Sequence, residues 1–141
     1  MEHKITTEWL GKMAFNSTVI GGEVALDSDE AVGGQGKGVR PKSLMLSSLS
    51  GCTGMDVTSL MKKMRVDESV SKFTLDVSAS LTEEHPKVYK KVHVVYLFEG
   101  KDMNTKKLEK AVALSVERYC GVYEMFRQFA EVTHEIIFKE L

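Results

Sequence analysis

Two thiols, Cys52 and Cys120, are the side chains of this 141-residue chain best suited to chemistry. Each has an inert reading, because a cysteine in an apolar helix is most often a small core residue and one at a helix break can serve packing alone. The reactive reading pairs them. Cys52 stands in Ser50-Gly51-Cys52-Thr53-Gly54, whose small neighbours leave room for a small molecule. Cys120 stands where one helical pattern ends and another begins, and free N–H groups at a helix start lower a thiol pKa. Two thiols that meet suit peroxide chemistry: one thiolate attacks the O–O bond and becomes a sulfenic acid, and the other condenses with it to a disulfide. Spacing alone leaves open whether they meet.

Other chemistries find no pattern. His3, His85, His93 and His134 fall on different elements without ligand spacing, and the cysteines do not form a Cys-x-x-Cys. No metal and no cofactor are expected. Ser50 beside Gly51 is not a nucleophile elbow, since no Gly-x-Ser-x-Gly occurs. Glu117-Arg118 beside Cys120 reads as a solvated or intrahelical pair. Asp56, four residues after Cys52 on the same helix face, raises a neighbouring thiol's pKa as an anion. It therefore reads as structural, or as a partner for Lys42 or an arginine.

The element that must position Cys52 starts at Pro41, which suits a first helical turn. No proline follows until Pro86. A helix of about 23 residues, roughly 35 Å, fits this stretch. Its apolar residues, among them Leu44, Met45, Leu49, Met55, Val57 and Leu60, point nearly all round, the mark of a helix buried on every side. A domain this small cannot supply that much cover. A partner helix from a second copy, crossing at Gly51 and Gly54, is the simplest expectation.

Three short alternating runs before the helix predict an antiparallel meander, broken by Gly11 and Gly21-Gly22. Residues 28–40, acidic and then glycine-rich, predict a mobile loop. Beyond the helix, Phe73, Leu75, Val77, Ala79 and Leu81 alternate with polar residues, and residues 72–98 predict a long hairpin. Asn104 or Thr105 caps a second helix whose inner face is Leu108, Ala111, Val112, Ser115, Val116 and Tyr119. A shorter amphipathic helix and a last strand over Val132 to Phe138 close an α+β chain, expected to be one domain over residues 1–141.

A net charge of −1 gives no electrostatic drive toward nucleic acid. No apolar run reaches membrane length, and the start lacks a signal-peptide core, so the cytoplasm is the expected location. There, two cysteines are thiols rather than a disulfide framework.

Pro41-Lys42-Ser43-Leu44 through Gly51-Cys52-Thr53-Gly54-Met55-Asp56-Val57, with Ser115-Val116-Glu117-Arg118-Tyr119-Cys120 further on, resembles the OsmC/Ohr family over essentially the whole chain. The Gly-Cys-Thr-Gly-Met-Asp-Val segment is more similar to its uncharacterised OsmC-like branch than to its peroxidases. The resemblance implies an intertwined homodimer: long central helices wrapped by antiparallel sheets, one six-stranded sheet from each subunit. It implies reduction of small organic hydroperoxides, with Cys52 attacking, Cys120 resolving, and a dithiol or lipoylated protein as reductant. The pattern departs where the peroxidases place a glutamate after the proline, paired with an arginine from the N-terminal strands. Here Lys42 holds that position and no arginine precedes Arg40. Lys42 and Arg40 are the cations available to activate Cys52. The alternative is a non-catalytic stress or ligand-binding protein that keeps the cysteines without the activating pair.

Overall fold

Glycine and one left-handed lysine turn the first part of the chain back on itself. Gly11 (φ 107°), Lys12 (φ 49°) and Gly21 (φ 94°) set the two turns of a meander, β1 (Thr6–Gly11), β2 (Ala14–Val19) and β3 (Gly22–Leu26), paired antiparallel in the order β1-β2-β3. Trp9 Nε1 donates to the Lys12 carbonyl at 2.8 Å and closes the first turn. In the computed structural model, which describes all residues from Met1 to Leu141, the chain divides into two compact units, Met1–Met45 and Leu46–Leu141.

The glycine-rich segment of the first unit is not a loose connector. Asp27, only 3% exposed, accepts hydrogen bonds from the N–H groups of Ser28 (2.8 Å), Gln35 (3.2 Å) and Lys37 (3.1 Å). Val39 pairs with Ala25 and Asp27 through two further backbone bonds. Burial alone would push the Asp27 carboxyl up, but the three N–H donors and the Arg40 charge hold it below its ordinary value. Glycine-rich composition signals flexibility only when nothing buried organises the segment, and here a carboxylate does.

Helix α1 (Pro41–Lys63) begins in the first unit and continues into the second. Its buried positions are Leu49, Thr53, Gly54, Val57 and Met61, a single stripe at helical spacing. Met45 and Met55 remain 43% and 73% exposed, so one chain does not bury the helix on every side. Gly54 is explained within the chain: a Cβ there would stand 3.2 Å from Leu75 Cδ1, whereas one at Gly51 would meet nothing within 4 Å. The helix ends as Arg65 N–H bonds the Lys62 carbonyl and Val66 N–H that of Met61, with Arg65 left-handed (φ 59°).

The second unit lays its helices on a three-stranded sheet, β4 (Val70–Leu81), β5 (Tyr89–Gly100) and β6 (Glu131–Glu140), in that order. β4 and β5 form the expected hairpin. β6 runs parallel to β5, with Val94 opposite His134. The sheet is therefore mixed, not antiparallel, because the helical crossover between β5 and β6 returns the chain to the same end of the sheet. The chain carries two three-stranded sheets rather than one of six strands. Val92, Val94, Tyr96 and Phe98 of β5 point into the core. Phe73, Phe98 and Phe138 form an aromatic row across the three strands, with centroids 4.5 Å and 5.6 Å apart. No helix is long and apolar enough to cross a membrane.

Candidate functional site

Cys120 owes its position to an irregular turn. Helix α2 (Thr105–Leu114) starts at Asn104, whose side chain accepts from Lys107 N–H at 3.1 Å. It buries Leu108, Ala111 and Val112. From Ser115 to Tyr119 the chain makes a π-helical turn, closed by Cys120 N–H donating to the Ser115 carbonyl at 2.8 Å. A π-turn inserts one residue into the helical register. Tyr119, expected on the inner face, is 52% exposed, and Cys120 is buried in its place at 3% exposure. Arg118 stacks over the Tyr119 ring at 5.6 Å, and Glu117 and Arg118 both face solvent.

Cys120 then caps α3 (Gly121–Arg127), its sulfur accepting Tyr123 N–H at 3.3 Å. Cys52, on α1, is partly exposed and packs on the core cluster that contains Cys120. The two thiols are neighbours, and the presence of Cys52 raises the pKa of Cys120. Burial pushes the Cys120 thiol up, to about 12, against the pull of Tyr123 N–H. Cys52 and the Asp56 carboxylate push in the same upward direction as burial.

The residue after Cys52 belongs to a chain of buried hydroxyls that ends on a carboxylate. Tyr96 Oη and Thr53 Oγ1 are 2.8 Å apart, Thr53 Oγ1 and Ser115 Oγ 2.7 Å, and Ser115 Oγ donates to Asp56 Oδ2 at 2.9 Å. A carboxylate only accepts, so the polarity is fixed from that end. Ser115 donates to Asp56, Thr53 donates to Ser115, and Tyr96 donates to Thr53. Tyr96, Thr53 and Ser115 are fully buried. Burial holds the Tyr96 phenol well above its ordinary pKa. Asp56 opens onto a recess shared with Ser59, Leu60, Lys63 and Tyr119. Sequence reasoning reads Asp56 as a partner for a cation and does not pair it with Ser115. The available signal is Ser115 itself, a hydroxyl on an inner helix face that has to find a partner.

The two cations named from sequence stand as follows. Arg40 donates Nη1 to the Gly38 carbonyl (2.8 Å) and pairs Nη2 with Asp29 (3.2 Å), so it is engaged by the glycine-rich segment. Lys42 is exposed in the first turn of α1, ten residues before Cys52, or about 15 Å of helical rise. Among the histidines, His93 bridges Thr133 (2.7 Å) and Glu135 (3.1 Å) on the sheet, and His134 lies 3.5 Å from the Tyr123 hydroxyl.

Comparison with known proteins places these features among relatives. The family model described as OsmC-like protein matches residues 34–135. Protein YhfA of Escherichia coli K12 is 25% identical over 128 residues, covering 90% of this chain and 91% of YhfA. The crystal structure of a hypothetical protein from Aquifex aeolicus VF5 superposes with a TM-score of 0.80 at 28% identity, over 99% of both chains. The organic hydroperoxide resistance protein OhrB of Bacillus subtilis superposes with a TM-score of 0.62 at 20% identity, over 96% of this chain and 98% of OhrB, a likeness of fold.

Proposed function

The chain belongs to the OsmC-like family, and from that premise we propose that it is a thiol-dependent peroxidase reducing small organic hydroperoxides. Cys52 as thiolate attacks the hydroperoxide. The O–O bond breaks, the sulfur takes one oxygen as sulfenic acid, and the other oxygen leaves as alcohol after gaining a proton. Cys120 then displaces the sulfenic hydroxyl, its own S–H proton leaving with it as water, and the disulfide forms. A dithiol, free or as a lipoylated protein, restores both thiols and is itself oxidised. No metal or cofactor enters these steps.

The observation that carries the reading is the unequal pair. Cys52 is partly exposed, while its neighbour Cys120 is buried with its proton held tightly. That difference suits an attacking and a resolving thiol. The likeness to OhrB, named for organic hydroperoxide resistance, supports the same chemistry. Lys42 and Arg40 remain the proposed activating cations, supplied in a homodimer. A second copy gives the exposed Trp9, Ile20 and Met55 something to pack against, at 64%, 67% and 73% exposure. Both compact units then act as one domain in the reducing setting of the cytoplasm.

One observation favours a second reading. Arg40, one of the two candidate activating cations, is already engaged by Asp29 and the Gly38 carbonyl. A family member in that state binds or senses rather than turns over. Dimedone trapping separates the two. Under cumene hydroperoxide, the Cys120→Ser variant yields a dimedone adduct at Cys52 in the peroxidase reading and none in the other.

A further inference from the structure

We infer that Ser115, held by Asp56, is the positioning residue that sets Cys120 against Cys52 and so governs whether the pair closes to a disulfide. The inference rests on the proposed function only in taking Cys52 and Cys120 as the reacting pair.

The geometry runs through one residue. The Ser115 side chain meets α1 at three points, Thr53 Oγ1 (2.7 Å), Asp56 Oδ2 (2.9 Å) and, at the longer distance of 3.5 Å, the Thr53 carbonyl. Thr53 is the neighbour of Cys52 in sequence. The Ser115 backbone carbonyl accepts the Cys120 N–H at 2.8 Å, the bond that closes the π-turn. Each thiol is thus one short link from the same serine, Cys52 through its neighbour Thr53 and Cys120 through its own N–H. A π-turn is a rare, locally unfavourable form that persists where tertiary contacts over-determine it. Were the turn to relax to α-helix, the residue at the inner position would be Tyr119, and Cys120 would rotate outward. The Ser115 hydroxyl contacts are the polar contacts that fix the first residue of the turn to α1. Disulfides demand narrow geometry, with Cβ atoms about 3.5–4.5 Å apart, so a one-residue slip abolishes closure.

Equilibration in glutathione redox buffers tests this without peroxide. Oxidation there consumes glutathione disulfide: two protein thiols become one disulfide and two glutathione thiols are released. Quenched samples are read by mass spectrometry for wild type, Ser115→Ala, Asp56→Asn and Asp56→Leu. The Asn oxygen still accepts from Ser115, whereas Leu offers no acceptor. The expected result is a protein-disulfide equilibrium constant lowered at least tenfold in Ser115→Ala and Asp56→Leu, and within threefold of wild type in Asp56→Asn. Circular dichroism checks that each variant is folded. Should a variant fail to fold, the crystal structure of Asp56→Asn supplies the readout: a retained π-turn with Cys120 inward supports the inference, and a contact from Ser115 to the new amide kept while the turn relaxes to α-helix overturns it. A folded Ser115→Ala whose equilibrium matches wild type overturns the inference, as does loss of closure in Asp56→Asn equal to that in Asp56→Leu. If wild type closes in glutathione but is not oxidised by hydroperoxide, the peroxidase reading fails and this inference stands.

Discussion

Ser115 Oγ donates to Asp56 Oδ2 at 2.9 Å, joining α1 to the π-turn across 59 residues of sequence. The contact ends the buried run from Tyr96 through Thr53, so the network has a direction as well as a shape.

That direction makes Thr53 the vulnerable member. Thr53→Val keeps the volume but leaves the fully buried Tyr96 hydroxyl without the oxygen that accepts its proton. A stranded buried polar group costs about 1–3 kcal/mol, whereas Tyr96→Phe removes the donor itself and costs about 0.5–1.5 kcal/mol. Urea unfolding under reducing conditions checks the order: Thr53→Val is the less stable of the two variants.

Cys120 gives the protein an alkaline weakness. Its folded pKa is raised from 9.0 to about 12 by burial, so the folded state keeps a proton that the unfolded state releases. The stabilisation is complete below pH 9 and is lost as pH rises through the window to about 12. Tyr96 and Tyr123, also raised by burial from 10.0, add in the same direction at higher pH. Urea midpoints of wild type therefore fall more steeply between pH 8.5 and 10.5 than those of Cys120→Ala. In the native protein iodoacetamide labels Cys52 before Cys120.

The glycine-rich segment has its own pH response. Asp27 is held below its ordinary 3.8 against the cost of burial by three backbone donors and Arg40. Its contribution is present above pH 3.8 and disappears as pH falls through the lower folded value. Asp27→Asn presents an N–H₂ where a lone pair is needed. Limited proteolysis then cuts residues 28–40 in the variant and spares wild type at neutral pH.

Gly51 discriminates between one chain and two. A Cβ at Gly51 meets nothing within 4 Å inside the chain. Within the single chain, Gly51→Ala is stabilising by about 0.5–1 kcal/mol through helix propensity. In the proposed homodimer, with helices crossing closely at this point, the added methyl weakens association. Light scattering at micromolar concentration is expected to show the dimer for wild type and a shift toward monomer for Gly51→Ala.

Much of this was legible in the residues, where periodicity and local chemistry agree. Pro41 and the cations at Lys62 and Lys63 bracket a helix that runs over Pro41–Lys63, and the Phe73 to Leu81 alternation lies on β4. What was hidden depends on contacts between distant segments. Asp27 organises a stretch that composition alone reads as loose, because its three donors lie up to ten residues away. The parallel pairing of β6 follows from the crossover, which no pattern within β6 records. Tyr119 and Cys120 exchange places through the single residue inserted by the π-turn, and the 3.6 period assumes that no such insertion occurs. The thiols were nameable from sequence, but the serine linked to both their segments could be placed only on an inner face.

The most direct measurement is peptide mapping of wild type after one equivalent of cumene hydroperoxide. Quenching with N-ethylmaleimide precedes digestion. The account predicts a linked Cys52–Cys120 peptide in near-stoichiometric yield within a single chain, absent from Cys52→Ser and reversed by a dithiol. Recovery of both cysteines as maleimide adducts, with the hydroperoxide unconsumed, would contradict it.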